Sequence, residues 1–252
     1  MKELVKWSER MTALEITWLG HSAFIIKGFD TIVVDPFLNG NPSTDMTPDL
    51  IKCDIVCVTH GHYDHVGDAV AISKRNKAPI LSIVELSHFF DKLGCQTVGF
   101  NIGGSTKVRD TKVTMTAAVH SSGADADGLE GAAGSPAGFV IESGQTVYHA
   151  GDTALFGDMA LIGEMHKIDV ALLPIGGFFT MDAYHAAKAV ELLKPKMAIP
   201  MHYNTWGPIQ ADPMVFKSEV EKRCDTQVRI LEPGETMKME SGGRRYARDP
   251  HA

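Results

Sequence analysis

Short apolar runs, each cut off by glycine, proline or aspartate, pattern the first third of the chain. Residues 14–19, 23–27 and 31–35 are rich in β-branched and aromatic side chains and predict three strands. A fourth apolar run, 54–58, predicts a buried strand, and the mixed stretch 66–76 predicts a helix. A strand over 80–84 and a helix over 85–93 follow. Polar and apolar residues alternate over 107–109 and 112–119, the signature of half-exposed antiparallel strands. Runs 138–142 and 146–149 flank Ser143-Gly144-Gln145 and predict a hairpin. Helices are expected over 154–166, 182–193 and 213–223, and strands over 169–173, 197–200, 227–231 and 236–239. Strands and helices mix throughout, which predicts a layered α/β sandwich.

No shift of composition divides the 252 residues, so one domain is expected, with a flexible tail over about 240–252. The stretch 121–136 is nearly all Ser, Gly, Ala, Asp and Pro and predicts a mobile loop directly after His120. No apolar run reaches the ~18 to 20 residues that cross a bilayer. The N-terminus has mixed charge and lacks an apolar leader, so a cytoplasmic protein is expected. A formal charge of −7 argues against a broad nucleic-acid surface, and the basic pair Arg244-Arg245 lies in the tail. Cys53, Cys57, Cys95 and Cys224 form no Cys-x-x-Cys pair and no disulfide-scaffold spacing, and Cys53 and Cys57 are expected as small core residues. Nothing in the sequence fixes an oligomeric order, although a homo-oligomer is compatible with it.

The chemistry concentrates in Thr59-His60-Gly61-His62-Tyr63-Asp64-His65, immediately after the fourth strand. Imidazole nitrogens and a carboxylate oxygen are the donors that borderline divalent metals prefer. Four donors in one loop exceed what one tetrahedral ion can use while accepting a substrate, so they suggest two ions. His120, Asp152 and His202 each end another apolar run and supply further donors at strand ends.

This set resembles the metallo-β-lactamase superfamily. His60-x-His62-x-Asp64-His65, His120, Gly151-Asp152-Thr153 and His202 carry the resemblance. Gly20-His21-Ser22, Asp35-Pro36-Phe37, His149-Ala150-Gly151-Asp152-Thr153 and Pro200-Met201-His202-Tyr203-Asn204-Thr205 resemble a branch of small metal-dependent hydrolases related to ascorbate-6-phosphate lactonases. The resemblance implies a four-layer αβ/βα sandwich with metals at one edge. It also implies that His60, His62 and His120 hold one ion, that Asp64, His65 and His202 hold another, and that Asp152 bridges them. The ions implied are Zn2+, with Mn2+ or Fe able to use the same donors. The reaction expected is hydrolysis of a small ester, lactone or phosphodiester by a metal-bridging hydroxide.

Asp64 and Asp152 would then carry the chemistry as ligands, while His185 or His21 is the candidate proton donor. Asp182 is expected to cap the helix that bears His185, and His149 to support the metal site without ligating. His88, His166 and His251 read as surface or packing residues, and Phe178, Phe179 and Trp206 as candidate pocket residues. Two rivals remain: an iron-dependent oxygenase or redox protein on the same scaffold, and a nucleic-acid-processing metallo-hydrolase. The scaffold's flavodiiron members place a glutamate at the position of His62 and add a flavodoxin domain, and neither feature is present.

Overall fold

A computed structural model describes residues 13–123 and 133–240. The expected tail, Arg244-Arg245, His251 and most of the expected mobile loop lie outside those residues. Two seven-stranded sheets, flanked by helices, pack face to face. The first runs through β1 (Leu14–Trp18), β2 (Phe24–Lys27), β3 (Thr31–Val34), β4 (Ile55–Cys57), β5 (Ile80–Ile83) and β6 (Thr97–Phe100). The second contains β7 (Ser105–Val108), β8 (Thr111–Ala117), β9 (Ala137–Ser143), β10 (Gln145–His149), β11 (Val170–Pro174), β12 (Met197–Met201) and β13 (Gln227–Val228). The last strand, β14 (Thr236–Met239), returns to the first sheet and pairs with β1.

Burial explains the strand patterns. β1 alternates buried and half-buried residues because one face meets the other sheet. β4, β5 and β11 are buried at every position, as expected of parallel strands covered on both faces. Phe24, Phe139 and Tyr148 are among the largest fully buried side chains of the core. β3 runs parallel to β4, and β10, β11 and β12 run parallel to one another. β1 pairs antiparallel with β2, and β2 with β3, so β1 ends on the same side as β3. The same argument through β9 places the end of β8 beside the end of β10. The loops that carry the candidate ligands therefore converge by topology.

Several elements differ from the sequence expectation. The helix expected over 66–76 is two pieces, α1 (Tyr63–Val66) and α2 (Ala69–Asn76). Between them Gly67 has φ +40, and Asp68 turns its carboxylate to accept from Leu38 N (3.0 Å) and Asn39 N (2.8 Å). After α3 (Val84–Lys92), the half-buried strand β6 was hidden by Gly99 and its polar neighbours. The helix expected over 154–166 shortens to α4 (Met159–Met165), because Ala154 N donates to Val119 O (2.9 Å) and holds 154–158 as a loop. α5 (Ala183–Leu193) and α6 (Pro213–Glu221) lie where expected, while only residues 227–228 of the run 227–231 form strand. No helix among the described residues is long and apolar enough to cross a membrane.

Candidate metal centre

β4 delivers Thr59 to a loop in which His60 and His65 are fully buried and His62 and Asp64 are partly exposed. β8, β10 and β12 bring His120, Asp152 and His202 to the same place. Ligand atoms of His60, His62 and His120 lie within 4.8 Å of one another, as do those of His21, Asp64, His65 and His202. A third group, His60, His65 and Asp152, joins the two. The Oδ2 atom of Asp152 stands 3.0 Å from His202 Nε2, 3.3 Å from His65 Nε2 and 3.6 Å from His120 Nε2. All seven residues expected as ligands are thus brought together. His185 is not: its side chain is 62% exposed on α5 and its Nδ1 sits 3.0 Å from the capping Asp182, which also accepts from His185 N.

Hydrogen bonds around the cluster set its tautomers. Thr59 Oγ1 donates to Asp35 Oδ2 (2.7 Å), so it can accept from His60 Nδ1–H (2.9 Å). That leaves the lone pair of His60 on Nε2, 2.8 Å from His62 Nδ1. His65 Nδ1–H donates to the other side of the same carboxylate oxygen (2.8 Å), which turns His65 Nε2 into the site. Asp35 therefore orients one histidine from each side of the cluster. The sequence assigns no individual role to Asp35, Thr59 or Thr205: Asp35 and Thr205 act on residues far along the chain, and Thr59 is set towards His60 by the distant Asp35; the Asp-Pro-Phe at the end of a strand is the available signal.

His21 is fully buried, with Nε2 2.9 Å from Asp64 Oδ2 and Nδ1 2.9 Å from Thr205 Oγ1. Burial, then the His202 imidazole, pushes it down to about 4, so the neutral ring donates to Asp64 and accepts from the Thr205 hydroxyl. His149 donates from Nε2 to Ser22 O (2.9 Å) and accepts Gly151 N–H on Nδ1 (3.1 Å), so it ties two site loops together and has no nitrogen left for a metal. His21, Asp35 and His202 all adopt positive φ, at 53°, 46° and 54°. Such backbone costs of order 1–3 kcal/mol at each residue and persists where surrounding contacts enforce it.

The cluster fits divalent ions by its own chemistry. His65 Nε2, His202 Nδ1 and Asp152 Oδ1 are buried without a hydrogen-bond partner, a cost that structures seldom leave uncompensated. Burial pushes His60 well below its ordinary value, which keeps its nitrogen free to ligate. Burial lowers His65 too, but Asp152, Asp35 and Asp64 outweigh it and hold that ring's proton well above the ordinary range. A proton held among three carboxylates occupies the place where a cation substitutes for it. For Asp152, the raising effect of burial is overcome by His202 and His65, and it stays ionised.

A family model described as a beta-lactamase superfamily domain matches residues 15–202. A UPF0173 metal-dependent hydrolase of Archaeoglobus fulgidus is 50% identical over 228 residues, covering 88% of this chain and 98% of its own length. Another, of Methanosarcina mazei, is 47% identical over 230 residues, covering 91% and 100%. Among solved structures, Igni18, a novel metallo hydrolase from the hyperthermophilic archaeon Ignicoccus hospitalis, superposes with a TM-score of 0.83 at 42% identity. That match covers 91% of this chain and 99% of Igni18.

Proposed function

The chain belongs to the metallo-β-lactamase superfamily and is a metal-dependent hydrolase; from that premise we propose that it uses two divalent ions, zinc by preference, on a small ester, lactone or phosphodiester. His60, His62 and His120 would hold one ion, and Asp64, His65 and His202 the other. Asp152 would lie between, and its approach to imidazoles of both groups is the observation that carries this reading.

Bound there, two such ions supply a water acidified towards neutral pKa and a Lewis-acid contact for the substrate's oxygen. The protein supplies position. Asp35 fixes His65 directly and His60 through Thr59. His21 holds the carboxylate of Asp64, and the Trp206 ring packs 4.8 Å from the His21 ring. An exposed histidine such as His185 is a weaker candidate for leaving-group protonation than His21, which already touches the cluster.

A hydrolysis screen of esters, lactones and phosphodiesters with metal-reconstituted protein tests the proposal. Wild type should turn over at least one class, and Asp152→Asn should lower kcat/KM by about 100-fold or more, as loss of a ligand to both ions requires. Undiminished turnover by Asp152→Asn would remove the two-ion reading.

A further inference from the structure

Among the described residues, the stretches that carry the candidate ligands and the side chains around them are 19–23, 35–38, 58–68, 117–123, 150–154, 175–182 and 202–209. The sequence carries 24 lysines and arginines, and none lies in any of these segments. The same stretches hold Asp35, Asp68 and Asp182 in addition to the candidate ligands. Sites that bind phosphate or carboxylate groups ordinarily add Arg or Lys donors that pair with the substrate's charge. Here the described residues of these stretches supply no such donor.

Aromatic rings take their place. Trp206 is half-buried against His21 and 6.0 Å from Phe37, and Tyr63, 48% exposed, closes the group at 6.2 Å from Trp206. The 175–182 loop is pressed against His202: a Cβ on Gly176 would come within 2.3 Å of the His202 carbonyl. This loop presents Phe178 and Phe179, 72% and 53% exposed, edge to face at 4.8 Å. Large exposed rings beside a buried polar cluster mark a place where an apolar group is received.

We infer that the substrate is a neutral carboxylic ester or lactone bearing an aryl or alkyl group, held by the Trp206–Tyr63 and Phe178–Phe179 rings, and not a phosphate ester or another anion. The inference rests on the hydrolytic reading of the centre and narrows its substrate class. Hydrolysis adds one water across the acyl C–O bond; an ester releases an alcohol, a carboxylate and one proton, and a lactone opens to a single hydroxycarboxylate and one proton.

The test compares para-nitrophenyl butyrate with para-nitrophenyl hemisuccinate, which share leaving group and scissile bond and differ by one carboxylate, and with bis(para-nitrophenyl) phosphate. Metal-reconstituted protein should favour the butyrate by about 100-fold in kcat/KM. Binding is read separately, on metal-loaded and metal-free protein, by titration with the neutral para-nitrobutyranilide and the anionic succinyl para-nitroanilide. The neutral amide should bind more tightly in both forms. Trp206→Ala should raise KM for the butyrate about 10-fold and Trp206→Phe should retain most of the affinity; Phe179→Lys, on an exposed side chain, should narrow the butyrate preference. Faster cleavage or tighter binding of the anionic partner, or no binding of either amide, overturns the inference. Preferential binding of the neutral amide without cleavage of any ester would uphold it and sink the hydrolytic reading instead.

Discussion

Asp35 serves both halves of the centre from one buried carboxylate, accepting from His65 Nδ1 and, at the same oxygen, from the Thr59 hydroxyl that orients His60. Partners of this kind are typically worth 10–100-fold in metal affinity. Asp35→Asn should therefore weaken both ions together, by about that factor, in a competition titration with a chelator. Thr59→Val should weaken the His60 side alone; equal affinities in wild type and Asp35→Asn would refute the orienting role. His21 adds a pH dependence. Its folded value of about 4 lies below the ordinary 6.5, so between those values the unfolded chain binds a proton that the folded chain refuses. Stability of the metal-free protein should thus fall as pH drops through that window, by on the order of 3 kcal/mol from this residue. Denaturant titrations across the window should show a shallower pH slope for His21→Asn, and parallel slopes would contradict the assignment. The expected ligands were legible because their spacing is dense and chemical. Asp35 and Thr205 were not, because each acts on a residue 30 or 184 positions away.

At the scale of elements, the break between α1 and α2 aims the ligand loop. A Cβ on Gly67 would come within 2.5 Å of the Pro36 carbonyl and 2.7 Å of Phe37 Cα, so only glycine lets the end of α1 lie against the Asp35-Pro36-Phe37 loop. Gly67→Ala should destabilise the protein by about 2 kcal/mol through strain at positive φ, and it should also lower metal affinity, because the loop that carries Asp35 must move. Unchanged thermal unfolding in this variant would show that the contact is not needed. The periodicity of 66–76 is helical, but neither Gly67 nor Asp68 signals a break strongly without knowledge of the 36–39 loop. β6 was missed for the opposite reason: a short edge strand, half-buried along its length, carries too little apolar pattern to stand out. Asp182 was legible as a cap because capping is local, and its carboxylate accepts from His185 N as the sequence suggested.

For the whole molecule, two sheets meet so that strands from each half of the chain end at one edge. Thr59 O accepts from Ala137 N, and His202 N donates to His21 O (3.0 Å), so each sheet holds loops of the other. A layered α/β sandwich was legible from the alternation of strands and helices, and the match over residues 15–202 agrees with the resemblance carried by the motifs. The pairing of β14 with β1 was not legible, since no local pattern encodes a strand's return across the chain. Because ions bind the folded state and not the unfolded one, chelation should lower stability by about 3 kcal/mol for each ion lost, relative to protein held in metal at a hundredfold excess over Kd. The number of ions that this edge holds separates a shared centre from a single-ion site. Elemental analysis of carefully reconstituted, gel-filtered protein should return about two divalent ions per chain for wild type and fewer for Asp152→Asn. A stoichiometry of one or less in wild type, or the same content in Asp152→Asn, would contradict a centre built around a shared carboxylate.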